Sequence, residues 1–291
     1  MALSPTVRRR RLAAELRQIR ESRGLSGDRV AEALAWSPSK ISRIESGRTT
    51  PKPADVDRLL GYYGIGGPER ARLASLAHDA RQKGWWDEYA GDLPAEFIDA
   101  IGLESEASEI LEWQPYVVPG LLQTEDYARH IMLGYQRVVP ITPQAVERRV
   151  QVRMRRQEVL TRPEPARLTV VADESVLLRK VGGDPVMRAQ LRRLAELADL
   201  PNVELRILPL SADRTVAPGD SFVVLNYGAL NGEALLPDVV IAENLPKSEL
   251  YFESDDEGYL YRRVFDSQYE KSLGPGESRD LIERIARSAW A

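Results

Sequence analysis

The sequence predicts an all-α front of five helices over residues 1–80, then a bridging segment at 81–103, then an α+β domain over residues 104–291. Three observations carry that expectation. In the first 83 residues apolar side chains recur every three or four positions, the helical period. From Arg167 onward short β-branched runs appear between further helical stretches, among them Leu168-Thr-Val-Val-Ala172 and Asp238-Val-Val-Ile-Ala242. Charge also changes sign along the chain: residues 1–66 hold 13 Lys and Arg against 7 Asp and Glu, whereas residues 67–291 hold 27 against 37. With 291 residues and 43% hydrophobic content, the chain is long and apolar enough for two ordinary cores.

In the first helix Leu12, Leu16 and Ile19 make the apolar stripe, and Gly24 ends it. Val30, Ala31 and Leu34 mark a second helix over residues 27–35, for which Ser26 is a good N-cap. A tight turn at Ala35-Trp36-Ser37 leads into a third, where Ser37 caps and Pro38 takes the first helical position. Ile41 and Ile44 fall on one side of that helix, Ser39, Lys40, Ser42 and Arg43 on the other. It is too short to be stable alone and must rest on its neighbours. Gly47 reverses the chain, and Arg48-Thr49-Thr50 forms a basic loop stiffened by Pro51 and Pro53. A fourth helix over 55–63 turns Val56, Leu59, Leu60 and Tyr63 inward; after Gly64-Ile-Gly-Gly67 a fifth runs over 68–83 on Leu73, Leu76, Ala77 and Ala80.

The second and third helices make a helix-turn-helix. The pattern L-S-x-x-x-V-A-E-x-L-x-x-S-P-S-x-I-S-R-I-E-x-G-R-x-x-P resembles the DNA-binding domain of the phage-repressor-like (XRE) family, over residues 8–77. That resemblance implies double-stranded DNA as partner, with the third helix in the major groove of one half-site and a homodimer on two. Ser39 and Arg43 are then expected at base edges, Arg43 being able to grip guanine bidentately; Lys40, Ser42, Arg48 and Thr49 are expected on phosphates, with Ser37 on the same surface. Two positions depart from the family. Gly27 stands where Gln usually grips a phosphate, leaving only a backbone N–H for that contact. Ala35 stands at a turn position usually held by Gly, which implies a strained left-handed residue. The family also implies an ion pair between Arg20 and Glu45. The run Arg8-Arg-Arg-Arg11 reads either as a solvated helix end or as a reach to a flanking phosphate.

Behind the motif, Gly84-Trp85-Trp86 places two adjacent tryptophans that are costly to leave in water, and they are expected to dock on the second domain or a second subunit. Residues 103–113 read as an amphipathic helix or an extended lead-in, 124–135 as a capped helix and 142–160 as a long one. Six arginines crowd Arg148 to Arg162. They read as a second nucleic-acid surface, or as a face paired with the acidic body or a dimer seam; without aromatic interleaving the latter pair is favoured. Strands are expected at 168–172, 203–208, 221–225, 238–242 and 250–253, and helices at 173–181, 184–200, 255–273 and 275–290. Gly84-Trp-Trp86, Val118-Pro-Gly-Leu-Leu-Gln-Thr-Glu-Asp-Tyr-Ala128, the run from Arg148 to Leu160, Asp173-Glu-Ser175, Val181-Gly-Gly183, Met187-Arg-Ala-Gln-Leu191 and Pro201-Asn-Val203 are similar to the C-terminal domain of actinobacterial regulators called Scr1-like or antitoxin-like, of the DUF5753 type. The resemblance implies a small partner protein, since many relatives are encoded beside one.

Cysteine is absent, which excludes disulfides, thiolate metal sites and cysteine nucleophiles. His78 and His130 are far apart, so no metal or cofactor is expected. Asp173 and Glu174 are adjacent and point apart, whereas acid–base work needs converging groups; caps are the expected role. Gly182-Gly183 belongs to no phosphate-loop pattern. No apolar run approaches the ~18 residues of a membrane span, and cytoplasm is the expected compartment. The function expected is that of a sequence-specific DNA-binding transcriptional regulator, not an enzyme, whose C-terminal domain mediates dimerisation and responds to a partner protein or small ligand. The alternative is an antitoxin-like protein that chiefly binds and neutralises a small partner, with DNA binding for autoregulation.

Overall fold

The computed structural model describes all residues except 1–3, 137, 139, 214–219, 231–232, 235, 246–247, 253–254 and 291. The chain divides into two compact units, residues 1–87 and 88–291.

The first unit is five helices: α1 (Pro5–Ser22), α2 (Gly27–Ala33), α3 (Pro38–Glu45), α4 (Pro53–Tyr62) and α5 (Gly67–Asp79), followed by a 3-10 turn at Trp85–Tyr89. Serine hydroxyls start three of them: Ser4, Ser26 and Ser37 accept from the N–H groups of Val7, Arg29 and Lys40 at 3.2, 3.2 and 3.3 Å. Each thereby satisfies one of the donors that a helix leaves open at its start. Leu12, Leu16, Val30, Ile41, Ile44, Val56, Leu59, Leu60 and Leu73 meet in one core, with Tyr63 and Ala77. Arg8 to Arg11 lie within α1 rather than ahead of it: Arg8 is buried 3.9 Å from Asp79, and Arg11 pairs with Glu15 at 3.0 Å. Trp86 is buried, with Trp85 edge-on at 5.8 Å, and Gly84 lies so close that a Cβ there would meet the Trp86 indole at 2.3 Å.

The second unit opens with α6 (Ala95–Glu104) and β1 (Glu109–Gln114), continues through a 3-10 turn at Gly120–Leu122, α7 (Glu125–Tyr135) and α8 (Pro143–Arg156), and passes a 3-10 turn at Gln157–Leu160 into β2 (Arg167–Asp173). Then follow α9 (Ser175–Leu178), α10 (Asp184–Leu197), β3 (Val203–Leu208), β4 (Phe222–Asn226), the short hairpin β5 (Ala229–Leu230) and β6 (Glu233–Ala234), β7 (Val239–Leu245), β8 (Ser248–Phe252), α11 (Asp255–Lys271) and α12 (Pro275–Ser288). The six-stranded sheet runs β3-β2-β1-β4-β7-β8. β1, β2 and β3 pair in parallel and the other three join antiparallel, so the sheet is mixed and the domain α+β as expected. Helical crossovers supply the parallel connections, α7 and α8 between β1 and β2, α9 and α10 between β2 and β3.

On one sheet face Leu111, Trp113, Val171, Leu208, Phe222, Val224 and Val240 form a core, closed by Tyr261, Val264, Phe265 and Tyr269 of α11. The outer edge of β3 is covered by the α11–α12 turn: Leu273 N–H donates to the Ile207 carbonyl at 2.9 Å, and Ile207 N–H donates to Ser278 Oγ at 2.9 Å. Two expectations need correcting. Residues 103–113 are no single element: α6 ends at Glu104 and β1 is a central strand. The helix expected over 173–181 shrinks to Ser175–Leu178, because Asp173 is the last residue of β2. Of the strand expected at 250–253, Leu250 to Phe252 lie in β8, and Glu253 is outside the described residues.

A candidate nucleic-acid interface

The site is built on α2, the turn and α3. Ala35 takes φ +52°, the left-handed conformation implied by its place in the turn, and Trp36 N–H donates to the Ala31 carbonyl at 2.8 Å to close it. Ile41 and Ile44 are buried beneath α3, and Ser39, Ser42, Arg43 and Ser46 are exposed on its other side, spaced one turn apart. Arg20 clamps the far end of the helix: its Nε and Nη2 donate to the two Glu45 carboxylate oxygens at 2.8 Å each, and its Nη1 donates to the Leu25 carbonyl at 2.7 Å. The Glu45 carboxylate holds the Arg20 guanidinium above its ordinary pKa. This forked pair, largely shielded from water, fixes α3 on α1 as the family pattern implies. After α3, Gly47 turns at φ +66° and its N–H donates to the Ile44 carbonyl at 3.1 Å; Thr49 N–H donates to the Arg43 carbonyl at 3.2 Å. The basic loop is thus folded onto the C-terminal end of the helix.

The sequence-expected residues fall into two sets. Ser39, Ser42, Arg43, Arg48 and Thr49 are exposed together, and the guanidinium groups of Arg43 and Arg48 meet no partner among the described residues. Ser37 is exposed too, but its hydroxyl is occupied as the cap of α3 and lies 3.0 Å from Ser39 Oγ. Gly27, half-exposed at the start of α2, shares a shallow cleft with Asp28, Ser39, Ser42 and Arg17. Lys40 is engaged elsewhere: its Nζ is 2.8 Å from Asp55 Oδ1 of α4 and 3.7 Å from the centre of the Trp36 ring. Reading the sequence for polar faces missed Trp36 and Asp55, which together set the position of Lys40. The spacing of Trp36 and Lys40, four residues apart, was the available signal.

Elsewhere the candidate groups are consumed by the fold. All six arginines between Arg148 and Arg162 bond within the second unit: Arg148 to Asp92, Arg149 to the Asp92 carbonyl, Arg153 to Gln123, Arg155 to Glu88, Arg156 to Glu104 and Arg162 to the carbonyls of Ser105, Ala107 and Glu164. Asp173 Oδ1 accepts from Ser175 N–H at 2.9 Å, and Glu174 accepts from Leu210 N–H at 2.8 Å, so the two acids terminate strands rather than converge. His130 Nδ1 is 2.8 Å from the Asp126 carbonyl, with Gly182 packed against its ring. Among the described residues no group of three or more His, Cys, Asp or Glu is placed to hold a metal ion, and no helix is long and apolar enough to cross a membrane.

A short helix pinned by its apolar side, with exposed arginines on and after it that are unpaired among the described residues, is the arrangement of a DNA-binding helix-turn-helix. A family model of the helix-turn-helix domain matches residues 11–73, and the model of a domain of unknown function, DUF5753, matches residues 97–284. The chain belongs to the DUF5753 family, carrying a helix-turn-helix domain in front. The match supports a DNA-binding regulator of transcription. No curated protein matches the chain, and no solved structure does.

Proposed function

We propose that this protein is a sequence-specific transcription regulator of the cytoplasm, without enzymatic activity, that binds double-stranded DNA as a homodimer through α3. Arg43 and Ser39 read base edges; Ser42, Arg48 and Thr49 hold phosphates, and the Gly27 N–H adds a weaker backbone contact. The observation that carries the proposal is that Arg43 on α3 and Arg48 just after it are exposed and unpaired among the described residues, while the other side of the helix is locked in the core. A homodimer follows because one short motif buries little surface, and two half-sites supply the affinity that one lacks. The second unit mediates dimerisation and answers to a partner protein or a small ligand.

The test compares Arg43→Ala and Arg48→Ala on a selected operator and on random duplex. Arg43→Ala is expected to lose affinity at one base pair of the operator only, Arg48→Ala on both duplexes with a shallower salt dependence. Equal losses for both variants on both duplexes would overturn the assignment of roles. A monomer in sedimentation at micromolar concentration, together with a non-palindromic operator, would overturn the dimer.

A further inference from the structure

Resting on that reading of α3, we propose that Asp55 withholds Lys40 from the DNA backbone and so keeps sequence-independent affinity low. Lys40 stands in the first turn of α3, where an extended ammonium would reach a phosphate of any duplex. Instead it folds back onto α4. Its Nζ donates to Asp55 Oδ1 at 2.8 Å and sits 3.7 Å above the Trp36 ring, whose other neighbour is the Arg58 guanidinium at 5.0 Å. Arg58 is itself anchored, donating to the Leu34 carbonyl at 2.5 Å at the end of α2. Asp55 is placed by the first turn of α4, where the helix end favours a negative charge, and its side chain is only 17% exposed.

The ring and the carboxylate form a seat for one ammonium, and Arg58 lies against the same ring. Leaving it for a phosphate would give up the carboxylate and the ring together and leave Asp55 facing an anionic duplex. Arg43 and Arg48 face no such competition among the described residues. A lysine on a phosphate is a point charge that carries no sequence information, so retaining it removes binding energy that every duplex would share.

The experiment measures affinity of the full chain for a selected operator and for random duplex across a salt series, with thermal unfolding as a check on folding. Asp55→Asn is expected to tighten random-duplex binding roughly three- to tenfold and to steepen the salt dependence by about one released counterion. Asp55→Ser serves as a second variant. Lys40→Ala alone is expected to change affinity by less than about twofold, and the Asp55→Asn gain is expected to vanish when combined with Lys40→Ala. The proposal is overturned if the gain persists without Lys40, since Asp55 would then act by simple repulsion. It is also overturned if Lys40→Ala alone weakens random-duplex binding as much as Asp55→Asn strengthens it. Those outcomes leave the DNA-binding reading intact; a wild-type chain that ignores all duplexes at low salt would remove both.

Discussion

Two stretches of this chain carry arginines that are put to opposite uses. From Arg148 to Arg162 six guanidinium groups bond to carboxylates, carbonyls and one amide within their own unit, and the pair of Arg156 with Glu104 is forked and nearly dry. On and after α3, Arg43 and Arg48 are fewer but unpaired among the described residues. The lesson is that the number of cations does not mark a nucleic-acid surface; what marks it is cations that the fold leaves unspent. The same contrast recurs inside the first unit, where Arg20 is consumed by Glu45 and Lys40 by Asp55.

The sharpest test of that division is to remove a consumed arginine. Arg156→Ala leaves Glu104 buried without its partner and is expected to cost about 3–5 kcal/mol of the second unit's stability, read by denaturant unfolding, while α3 itself is untouched. Arg20→Ala is expected to cost a comparable amount in the first unit and also to weaken DNA binding, because it frees the end of α3. Removing an unspent arginine should do the reverse. Arg43→Ala is expected to leave the melting temperature within about a degree of wild type and to cost about 1–3 kcal/mol of operator affinity. Stability losses for Arg43→Ala as large as those for Arg156→Ala would erase the distinction.

Smaller effects sharpen the account of the turn. Ala35→Gly relieves a left-handed alanine and is expected to stabilise the first unit by about 1 kcal/mol in thermal unfolding. Gly27→Gln restores the side chain usual in similar repressors. A Cβ there would lie 3.6 Å from Ile41 Cγ2, an ordinary contact, so the variant is expected to fold and to tighten binding on operator and random duplex alike by roughly two- to fivefold.

Acid should treat the two units alike. Burial pushes the Glu15 carboxyl up, but Arg72 and Arg11 outweigh it and hold the group below its ordinary value; Arg262 and Asn226 do the same against burial for Asp238. A lowered folded-state pKa contributes stability that is complete above the unfolded value and is lost as pH falls through the folded one. Both units are therefore expected to lose this contribution below about pH 4, and these two groups add no pH dependence between about pH 5 and 8, where their contribution is complete. Urea midpoints at pH 3.5 and 6 would check it.

The first unit was legible because its signals are local. Ser26, Ser37 and Pro38 announce helix starts, and Ile41 and Ile44 the buried side of α3, while the strained turn at Ala35 was implied by the family resemblance. The second unit was legible where strands alternate or run apolar, as at Val203–Leu208, and not at β1. Glu109-Ile-Leu-Glu-Trp-Gln114 carries Glu112 and Gln114 among its buried residues, so a central strand shows neither an apolar run nor a clean alternation. The side chains that seat Lys40 escaped for a related reason. Asp55 is brought to it by packing across fifteen positions, and no periodicity within α3 points to α4.

The turn between the last two helices has a consequence for anyone who shortens this chain. Leu273 and Ser278 stand where another strand would pair with β3. A version ending before Leu273 would keep every strand of the sheet yet bare a ready template of open amide and carbonyl groups. Such a fragment is expected to clump with its own copies at concentrations where the intact protein stays dispersed, a difference light scattering would register.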